Sequence, residues 1–237
     1  MKKLSVIIPT LNEANNIASL IEELKKKASS RAPEIIVVDS GSNDSTADIV
    51  RNINNVNFFT RKDFAGHKYA SLNFGAHRAS GDILFFLDAD SQLPFHYDQK
   101  IFRCLSQKEV IAGAFDLQLS PAGFLLEIVS LLNKIRYRLS KNFFGDQGLF
   151  ITKANFVASG GYPKQLIMES AYYCRKLKKM GKLKVIPNPI LTSSRRFLDG
   201  GIWRVFCKDV LILILFNFNR PIEKFAIKYW EYNKKAR

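Results

Sequence analysis

Four short apolar runs, each rich in β-branched or aromatic residues and bounded by turn residues, divide the N-terminal part of the chain. They cover residues 4–8, 34–38, 56–59 and 82–87. Their continuous apolarity predicts strands that are covered on both faces. The segments between them have helical spacing, and in the first segment the positions i, i+3, i+4 and i+7 are Ile17, Leu20, Ile21 and Leu24. This alternation predicts an α/β chain with a mostly parallel sheet, whose ligands bind beyond the carboxyl ends of the strands.

The second half of the chain is less regular. Its patterns predict strands at 109–117 and 148–151, and helices at 124–139 and 168–180. Two further helical stretches, at about 201–217 and 222–233, are separated by Pro221.

The turns after the first two strands carry polar side chains. The first turn, PTLNE at 9–13, contains no glycine, so the glycine-rich fingerprint of a dinucleotide-binding turn is missing. This argues against a nicotinamide or flavin enzyme. Asp39 ends the second strand, where an acidic side chain can accept hydrogen bonds from a ribose or from a base N–H.

The fourth apolar run ends in two aspartates, as FFLDAD at 85–90. If residues 83–90 continue as extended chain, Asp88 and Asp90 point the same way at the carboxyl end of the sheet. Two carboxylates so close repel each other unless a cation lies near them. Their hard oxygens suit Mg²⁺ or Mn²⁺, which keep open positions for phosphate oxygens. The pair therefore predicts a metal clamp for a diphosphate.

Charge and cysteine content narrow the class of protein. The 36 Lys and Arg against 21 Asp and Glu give a formal charge of +15, which favours a phosphorylated ligand, an anionic membrane surface or nucleic acid as partner. The basic run at 175–184 has no interleaved aromatic platform, so nucleic acid is not expected. Three widely spaced cysteines fit a reducing cytoplasm, and the apolar stretch before Pro9 is too short for a signal peptide.

Several stretches together resemble the inverting family 2 glycosyltransferases, which have the GT-A fold. They are VIIPTLNE at 6–13, VVDSGSNDST at 37–46, Lys68 with NFGA at 73–76, ASGD at 79–82 and FLDAD at 86–90. Further on, residues 143–170 and 192–197 are similar to a bacterial subgroup. The resemblance implies a GT-A domain at 1–200, with a nucleotide-binding half at about 1–95 and an acceptor half at about 96–200. A C-terminal helical segment at 201–237 follows.

The resemblance also assigns roles to residues of this sequence. It implies that Asp39 meets the base, that Asp88 contacts the ribose or the metal, and that Asp90 is the principal metal ligand. It places Lys68 near the diphosphate. The nucleotide pocket would be lined by Pro9, Thr10, Asn12 and Glu13. The phosphates or the acceptor would be approached by Arg195 and Arg196, whose planar guanidinium groups match phosphate oxygens.

One departure concerns the catalytic base. Many relatives carry Glu-Asp where this chain has Glu169 and Ser170, and that aspartate deprotonates the acceptor hydroxyl. Serine cannot accept this proton at neutral pH. The base is then Glu169, or Asp146 of the GDQ loop, or catalysis is weak or absent. General-base catalysis contributes about 10² to 10⁴ in rate, so its loss need not abolish activity.

The apolar stretch 202–218 contains three charged residues and is too short to span a bilayer. Two interpretations stay open for it: a buried helix, or a helix in the membrane interface beside the basic tail.

The leading hypothesis is a cytoplasmic, metal-dependent, inverting glycosyltransferase that uses a nucleoside-diphosphate sugar and a hydroxyl acceptor. A lipid-linked acceptor and a peripheral position on the inner face of the membrane stay open. The rival hypothesis is a non-catalytic protein that binds a sugar nucleotide or a membrane surface, and it is motivated by Ser170 and the basic, apolar tail.

Overall fold

The computed structural model describes residues 2–29, 32–223 and 225. Its N-terminal half alternates strands and helices as the apolar runs predict. The elements are β1 (Leu4–Thr10), α1 (Ile17–Lys27), β2 (Glu34–Asp39), α2 (Thr46–Arg51), β3 (Val56–Thr60), α3 (Lys68–Arg78) and β4 (Ile83–Phe86).

The second half adds four strands and six helices to the described part of the chain. They are β5 (Ser91–Gln92), α4 (Tyr97–Leu105), β6 (Val110–Ser120), α5 (Phe124–Ser140), β7 (Leu149–Thr152), α6 (Lys153–Ser159), α7 (Glu169–Leu177), β8 (Lys182–Ser193), α8 (Arg195–Gly200) and α9 (Ile202–Asn217). The helix predicted at 168–180 is therefore shorter at both ends. The helix predicted at 222–233 lies almost wholly outside the described residues.

All eight described strands form one sheet in the order β3-β2-β1-β4-β7-β6-β8-β5. Strands β3, β2, β1 and β4 are parallel, as the right-handed βαβ connections require. Strand β7 is antiparallel to both of its neighbours, β4 and β6, and β8 runs parallel to β6. The predicted α/β class with a mostly parallel sheet flanked by helices is confirmed.

Helices cover both faces of the sheet. The i, i+3, i+4 and i+7 positions of α1 are buried on one face, in a cluster that also takes in Tyr97 and Ile101 of α4. The opposite face packs against α3, α5, α6 and α7, with Leu72, Tyr137 and Tyr173 among the buried contacts. Because both faces of the central strands are covered, their continuous apolarity is explained.

Strand β8 and helix α4 are absent from the sequence-based assignment. Strand β8 contains Pro187 and Pro189, and proline in an apolar run argues against a strand because it donates no ladder hydrogen bond. The structure accommodates these prolines at an irregularity, where the register of β6 against β8 shifts between Phe115 and Asp116.

Helix α9 joins the body of the domain. Val205 packs with Phe197, Leu126 and Val129, and Ile212 packs with Ile167. Among the described residues, no helix is both long enough and apolar enough to cross a membrane.

Candidate active site

A cleft of about 280 Å³ opens at the carboxyl ends of β1, β2 and β4. Its lining comes from the turns after these strands, from the GDQ loop before β7, from the segment before α7, and from α8 and α9. This is the edge at which a parallel α/β sheet binds its ligands. The structure thus brings most of the predicted site residues, from distant segments, to one cleft.

The turns after β1 and β2 are tied together by hydrogen bonds. Asn12 has a left-handed backbone (φ 57°), its N–H donates to Ser42 Oγ at 2.8 Å, and its Oδ1 accepts from the N–H of Asn43 at 2.8 Å. Asn12 therefore braces the two turns and is not part of the cleft lining, whereas Pro9, Thr10 and Glu13 are.

Asp39 lies beneath the second turn. Its buried carboxylate accepts hydrogen bonds from the N–H groups of Gly41 and Ser42, both at 3.1 Å, from the Ser42 hydroxyl, and from Thr10 Oγ1 at 3.4 Å. It does not line the cleft, although the adjacent Ser40 does. In this arrangement Asp39 fixes the shape of the turn, and its predicted contact with a base stays a prediction.

Asp88 and Asp90 both line the cleft, but not by the geometry that the sequence predicts. The expectation of extended chain to residue 90 is wrong, because β4 ends at Phe86 and Ser91 N–H closes a turn on the Asp88 carbonyl at 3.2 Å. Ala89 of this turn packs into the core, while Asp88 and Asp90 on either side of it are partly exposed. Both carboxylates still meet the same cleft.

Lys68 is the first residue of α3 and the cation nearest to these acids in the described site. Its Nζ lies 2.6 and 2.7 Å from the two carboxylate oxygens of Asp88 and 3.9 Å from Oε1 of Glu169. Gly145 of the GDQ loop faces this pair, and a Cβ there would lie 2.6 Å from Nζ. A side chain at this position would displace the Lys68 ammonium group from its present place.

Two other acids of the cleft, Asp90 and Asp146, have raised pKa values. Desolvation in the cleft, with the charges of Asp88 and Glu13, raises the pKa of Asp90 to about 7. Desolvation and the charge of Asp88 likewise raise the pKa of Asp146 to about 6, against the opposing effect of Arg136. Asp146 Oδ1 is buried and has no hydrogen-bond partner among the described residues.

These features fit a divalent cation. The donors are hard carboxylate oxygens, and the pKa values of Asp90 and Asp146 are raised by desolvation and by neighbouring carboxylates, effects that a bound cation would oppose. No three His, Cys, Asp or Glu side chains of the described residues form a complete ligand group. A cation held by Asp88 and Asp90 would therefore complete its coordination with phosphate oxygens and water, as Mg²⁺ commonly does.

Glu169 and Ser170 open α7 at the wall of the cleft, and both are buried. Burial raises the pKa of Glu169, and nearby Lys68 opposes this shift. A carboxylate with a raised pKa beside the cleft is a reasonable proton acceptor. Asp146, on the GDQ loop that also lines the cleft, has the same property, so the structure keeps both predicted candidates for the base.

Arg195 and Arg196 begin α8 and line the cleft. The guanidinium of Arg196 donates two hydrogen bonds to the carboxylate of Asp209 on α9, one of them at 3.1 Å. Asp209, Ile212 and Leu213 also line the cleft, which the sequence analysis did not anticipate. One signal was available: Asp209 is the sole acid in the apolar stretch 202–218, and an acid there needs a cationic partner.

The parallel strands with a ligand cleft at their carboxyl edge, and the acids gathered there, define a GT-A fold. A family model described as glycosyl transferase family 2 matches residues 5–150. The match covers more than half of the chain, so the chain belongs to glycosyl transferase family 2, a family of sugar-transferring enzymes. The predicted family, fold and enzyme class are confirmed.

Curated relatives point to the same family. The undecaprenyl-phosphate 4-deoxy-4-formamido-L-arabinose transferases of Yersinia pestis and Serratia proteamaculans are each 24% identical to this chain over 159 residues. The alignment covers 64% of this chain and 48% of each relative. The chain thus spans about half the length of the curated relatives it matches.

Solved structures share the fold. The mannosyltransferase PcManGT from Pyrobaculum calidifontis, in complex with GDP-Man and Mn²⁺, is similar with a TM-score of 0.64 and 20% identity, over 80% of this chain and 56% of that chain. Glucosyl-3-phosphoglycerate synthase from Mycobacterium tuberculosis, in complex with Mn²⁺, UDP and glucosyl-3-phosphoglycerate, has a TM-score of 0.66 and 18% identity, over 93% and 81%. At these identities the likeness establishes the fold.

Proposed function

We propose that this chain transfers a sugar from a nucleoside-diphosphate donor to an acceptor hydroxyl, with inversion at the anomeric carbon and dependence on Mg²⁺ or Mn²⁺. The observation that carries the proposal is the group of acids in one cleft, Asp88, Asp90, Asp146 and Glu169, around the cation of Lys68. Such a group is suited to a ligand that arrives with a metal ion and leaves as a diphosphate.

The donor would lie across the turns after β1 and β2. Pro9, Thr10 and Glu13, which line the cleft, would face the nucleoside, and Asp39 supports the second turn and is the proposed contact for the base. Asp90, with Asp88, would hold the divalent cation, which supplies positive charge to the departing diphosphate. Asn12 keeps the two turns together, so its contribution to nucleotide binding is one of positioning.

The transfer step forms one bond and breaks another. The acceptor oxygen attacks the anomeric carbon while the bond from that carbon to the diphosphate oxygen breaks, and the acceptor proton passes to a carboxylate. Glu169 and Asp146 are the two candidates for this base, since both line the cleft and both have a raised pKa. An ionised carboxylate can accept this proton, whereas the hydroxyl of Ser170 cannot.

A lipid-linked acceptor is part of the proposal. The acceptor side of the cleft has apolar walls contributed by Leu119, Phe144, Ile167 and Ile212. Arg195 and Arg196 lie at the same wall and can bind a phosphate of the donor or of the acceptor. The relatives named above are undecaprenyl-phosphate transferases, which is consistent with such an acceptor. Because a nucleotide-sugar donor is a cytoplasmic metabolite, we propose a cytoplasmic location for this reaction.

The donor half of the proposal is tested by binding. We expect UDP or GDP with Mn²⁺ to raise the thermal midpoint of the full chain, because ligand at about 100 times its dissociation constant adds about 2.7 kcal/mol to stability. Asp90→Ala should remove this stabilisation. Asp48→Ala, at a highly exposed ion pair with Arg51 on α2, is the matched control and should keep it. Absence of stabilisation in the unmodified chain by every nucleoside diphosphate would contradict the proposal.

The base is tested by turnover with a sugar nucleotide and a lipid-linked acceptor that presents a free hydroxyl. Two variants, Glu169→Gln and Asp146→Asn, each remove one candidate. In the variant that has lost the base, kcat should be lower by about 10² to 10⁴, while the nucleotide affinity changes little.

A second candidate function is favoured by the buried Ser170, which stands where the family resemblance implies an aspartate as the base. It is a protein that binds a sugar nucleotide without transferring it. Retained Mn²⁺-dependent nucleotide binding, together with no turnover on any donor and acceptor pair, would establish this second function.

A further inference from the structure

Helix α5 carries an apolar stripe on the side that faces solvent. Its core-facing side chains include Leu126, Val129 and Tyr137. A second set, spaced i, i+4, i+7, i+8, i+11 and i+15, lies on the opposite side of the helix: Phe124, Ile128, Leu131, Leu132, Ile135 and Leu139. Five of these six are exposed, and Ile128 is half-buried. A helix that packs only on a core has polar side chains on this face, so the second stripe requires another explanation.

Helix α9 shows the same pattern. Its buried side chains are Val205, Ile212 and Phe216. The stripe that faces solvent has the spacing i, i+4, i+8, i+11 and i+15, and consists of Trp203, Cys207, Leu211, Ile214 and Phe218. Two helices from distant parts of the sequence therefore each expose a continuous apolar face over their full length.

The two helices are neighbours at the mouth of the cleft. Leu126 and Val129 of α5 pack in one cluster with Val205 of α9. Ile212 and Leu213 of α9 line the cleft itself. Whatever covers the exposed stripes is consequently close to the acceptor side of the site.

The positive charge of this chain distinguishes between two candidate occupants of the stripes, a second copy of the chain and an anionic surface. Helix α5 has three cations and one acid, and α9 has two cations and one acid, within a chain of formal charge +15. Part of this charge is compensated, since Lys134 and Arg138 share Asp116, and Arg196 pairs with Asp209. The exposed Arg204 and Arg220 add positive charge beside the α9 stripe. A second copy of so basic a chain is repelled, whereas an anionic surface is attracted.

We propose that the solvent-facing stripes of α5 and α9 dock this protein on the surface of an anionic lipid bilayer. Apolar side chains with a Trp, flanked by cations, have the chemistry of helices that lie in the plane of a membrane interface. The docking involves no donor or acceptor, so its test does not depend on whether the chain catalyses the transfer reaction.

The test is co-sedimentation of the full chain with vesicles of phosphatidylglycerol mixed with phosphatidylcholine, and with vesicles of phosphatidylcholine alone. One variant changes the α5 stripe (Leu131→Gln, Ile135→Gln, Leu139→Gln), and another changes the α9 stripe (Trp203→Gln, Leu211→Gln, Ile214→Gln). The matched control changes three similarly exposed apolar residues elsewhere, namely Phe95→Gln, Val157→Gln and Met180→Gln.

We expect binding to the anionic vesicles, weaker binding at high salt or without phosphatidylglycerol, and loss of about tenfold in affinity for each stripe side chain removed from the interface. The control should bind like the unmodified chain. Failure of the unmodified chain to bind anionic vesicles at low salt overturns the proposal, and so does equal binding by the stripe variants.

Two other outcomes also overturn it by identifying a different occupant. Light scattering that shows a dimer, which the stripe variants dissociate, assigns the surface to a second copy. A thermal midpoint that falls in the stripe variants but not in the control shows that another part of this chain covers the stripes, because substitution at a solvent-facing site leaves stability nearly unchanged.

Discussion

Arg196 and Asp209 are joined by two hydrogen bonds at the wall of the cleft, and each side chain is partly exposed. The planar fork of a guanidinium that binds a carboxylate in this way can bind two phosphate oxygens equally well. Asp209 therefore competes with the proposed ligand for Arg196. The pair also ties α8 to α9, so the two effects have to be separated by experiment.

Asp209→Asn should release the Arg196 fork for phosphate and raise the affinity for UDP or GDP with Mn²⁺ several-fold. The same change removes a charge-assisted contact and should lower the free energy of unfolding by about 1 kcal/mol. Titration calorimetry measures the first effect and urea unfolding the second. Arg196→Lys, which keeps the charge but not the fork, should weaken binding. Unchanged nucleotide affinity in Asp209→Asn would refute the competition.

The N-terminal elements illustrate how close packing can outweigh local preference. Gly75 lies in the middle of α3, where alanine would favour the helix by about 1 kcal/mol. A Cβ at this position, however, would lie 2.5 Å from Cγ2 of Ile7 on β1 and 3.3 Å from Val38 on β2. Ile7 is fully buried and branched, so it cannot move aside at low cost.

Gly75→Ala is therefore expected to lower the free energy of unfolding, because overpacking costs about 1 to 3 kcal/mol and exceeds the gain in helix propensity. Ala70→Gly in the first turn of the same helix isolates the propensity effect and should cost about 1 kcal/mol at most. Urea unfolding measures both. A Gly75→Ala protein more stable than the unmodified chain would contradict the close approach of α3 to the sheet.

Glu34 joins the start of β2 to the segment before β4. Its carboxylate accepts hydrogen bonds from Ser80 N–H at 2.8 Å and Ser80 Oγ at 2.7 Å, and from the Ser5 hydroxyl. Burial raises the pKa of Glu34, but the hydrogen bonds from Ser5 and Ser80 outweigh burial and hold the pKa below 4.5. The folded state therefore stabilises the ionised form of the Glu34 side chain.

Because folding lowers the pKa of Glu34, its contribution to stability is complete above pH 4.5 and is lost as the pH falls through the lowered pKa. Glu34→Gln should lower the free energy of unfolding at neutral pH by about 1 kcal/mol, a figure that allows for solvent screening. The difference from the unmodified chain should shrink in acid. Unfolding curves at several pH values measure it, with Glu22→Gln on the exposed face of α1 as control. A difference that grows in acid would be inconsistent with this sign.

Local sequence patterns were sufficient to predict some secondary-structure elements but not others. The strands β1, β2, β3 and β4 follow from apolar runs because each is buried by helices that are its neighbours in sequence. Strand β8 was not predicted, since its partner β6 is about 70 residues earlier and only that pairing places Pro187 and Pro189 at an irregularity.

The residues of the candidate site also divide into those that a local sequence pattern predicts and those that it does not. Asp88 and Asp90 were located by their position after an apolar run, although the turn that aims them was not. The role of Asp209 depends on how α9 packs over Arg196, which no local pattern contains.

Helix α9 contributes more to the stability of the domain than the predicted boundary at residue 200 implies. Phe197, Leu126, Val129 and Ile167 are buried partly by contacts with this helix. Burial of an aliphatic or aromatic side chain contributes about 1.5 to 3 kcal/mol. Helix α9 is in this respect part of the core, while its other face remains open to solvent.

A chain that ends at Gly200 should accordingly be less stable by several kcal/mol and prone to aggregation, since these side chains become exposed. A chain that ends at Glu223 retains α9 and Ile222, and is the control. Thermal unfolding and light scattering compare the two. An unchanged midpoint for the shorter chain would mean that residues 201–237 are an appendage, as the sequence alone indicates.

The distribution of thiols offers a practical opportunity. Cys104 and Cys174 are buried, whereas Cys207 is exposed in the middle of the α9 stripe. A polarity-sensitive fluorophore coupled by maleimide chemistry would therefore attach at Cys207 in preference to the other two. The colour of its emission would follow, in real time and without further mutation, the surroundings of the helix that also walls the cleft.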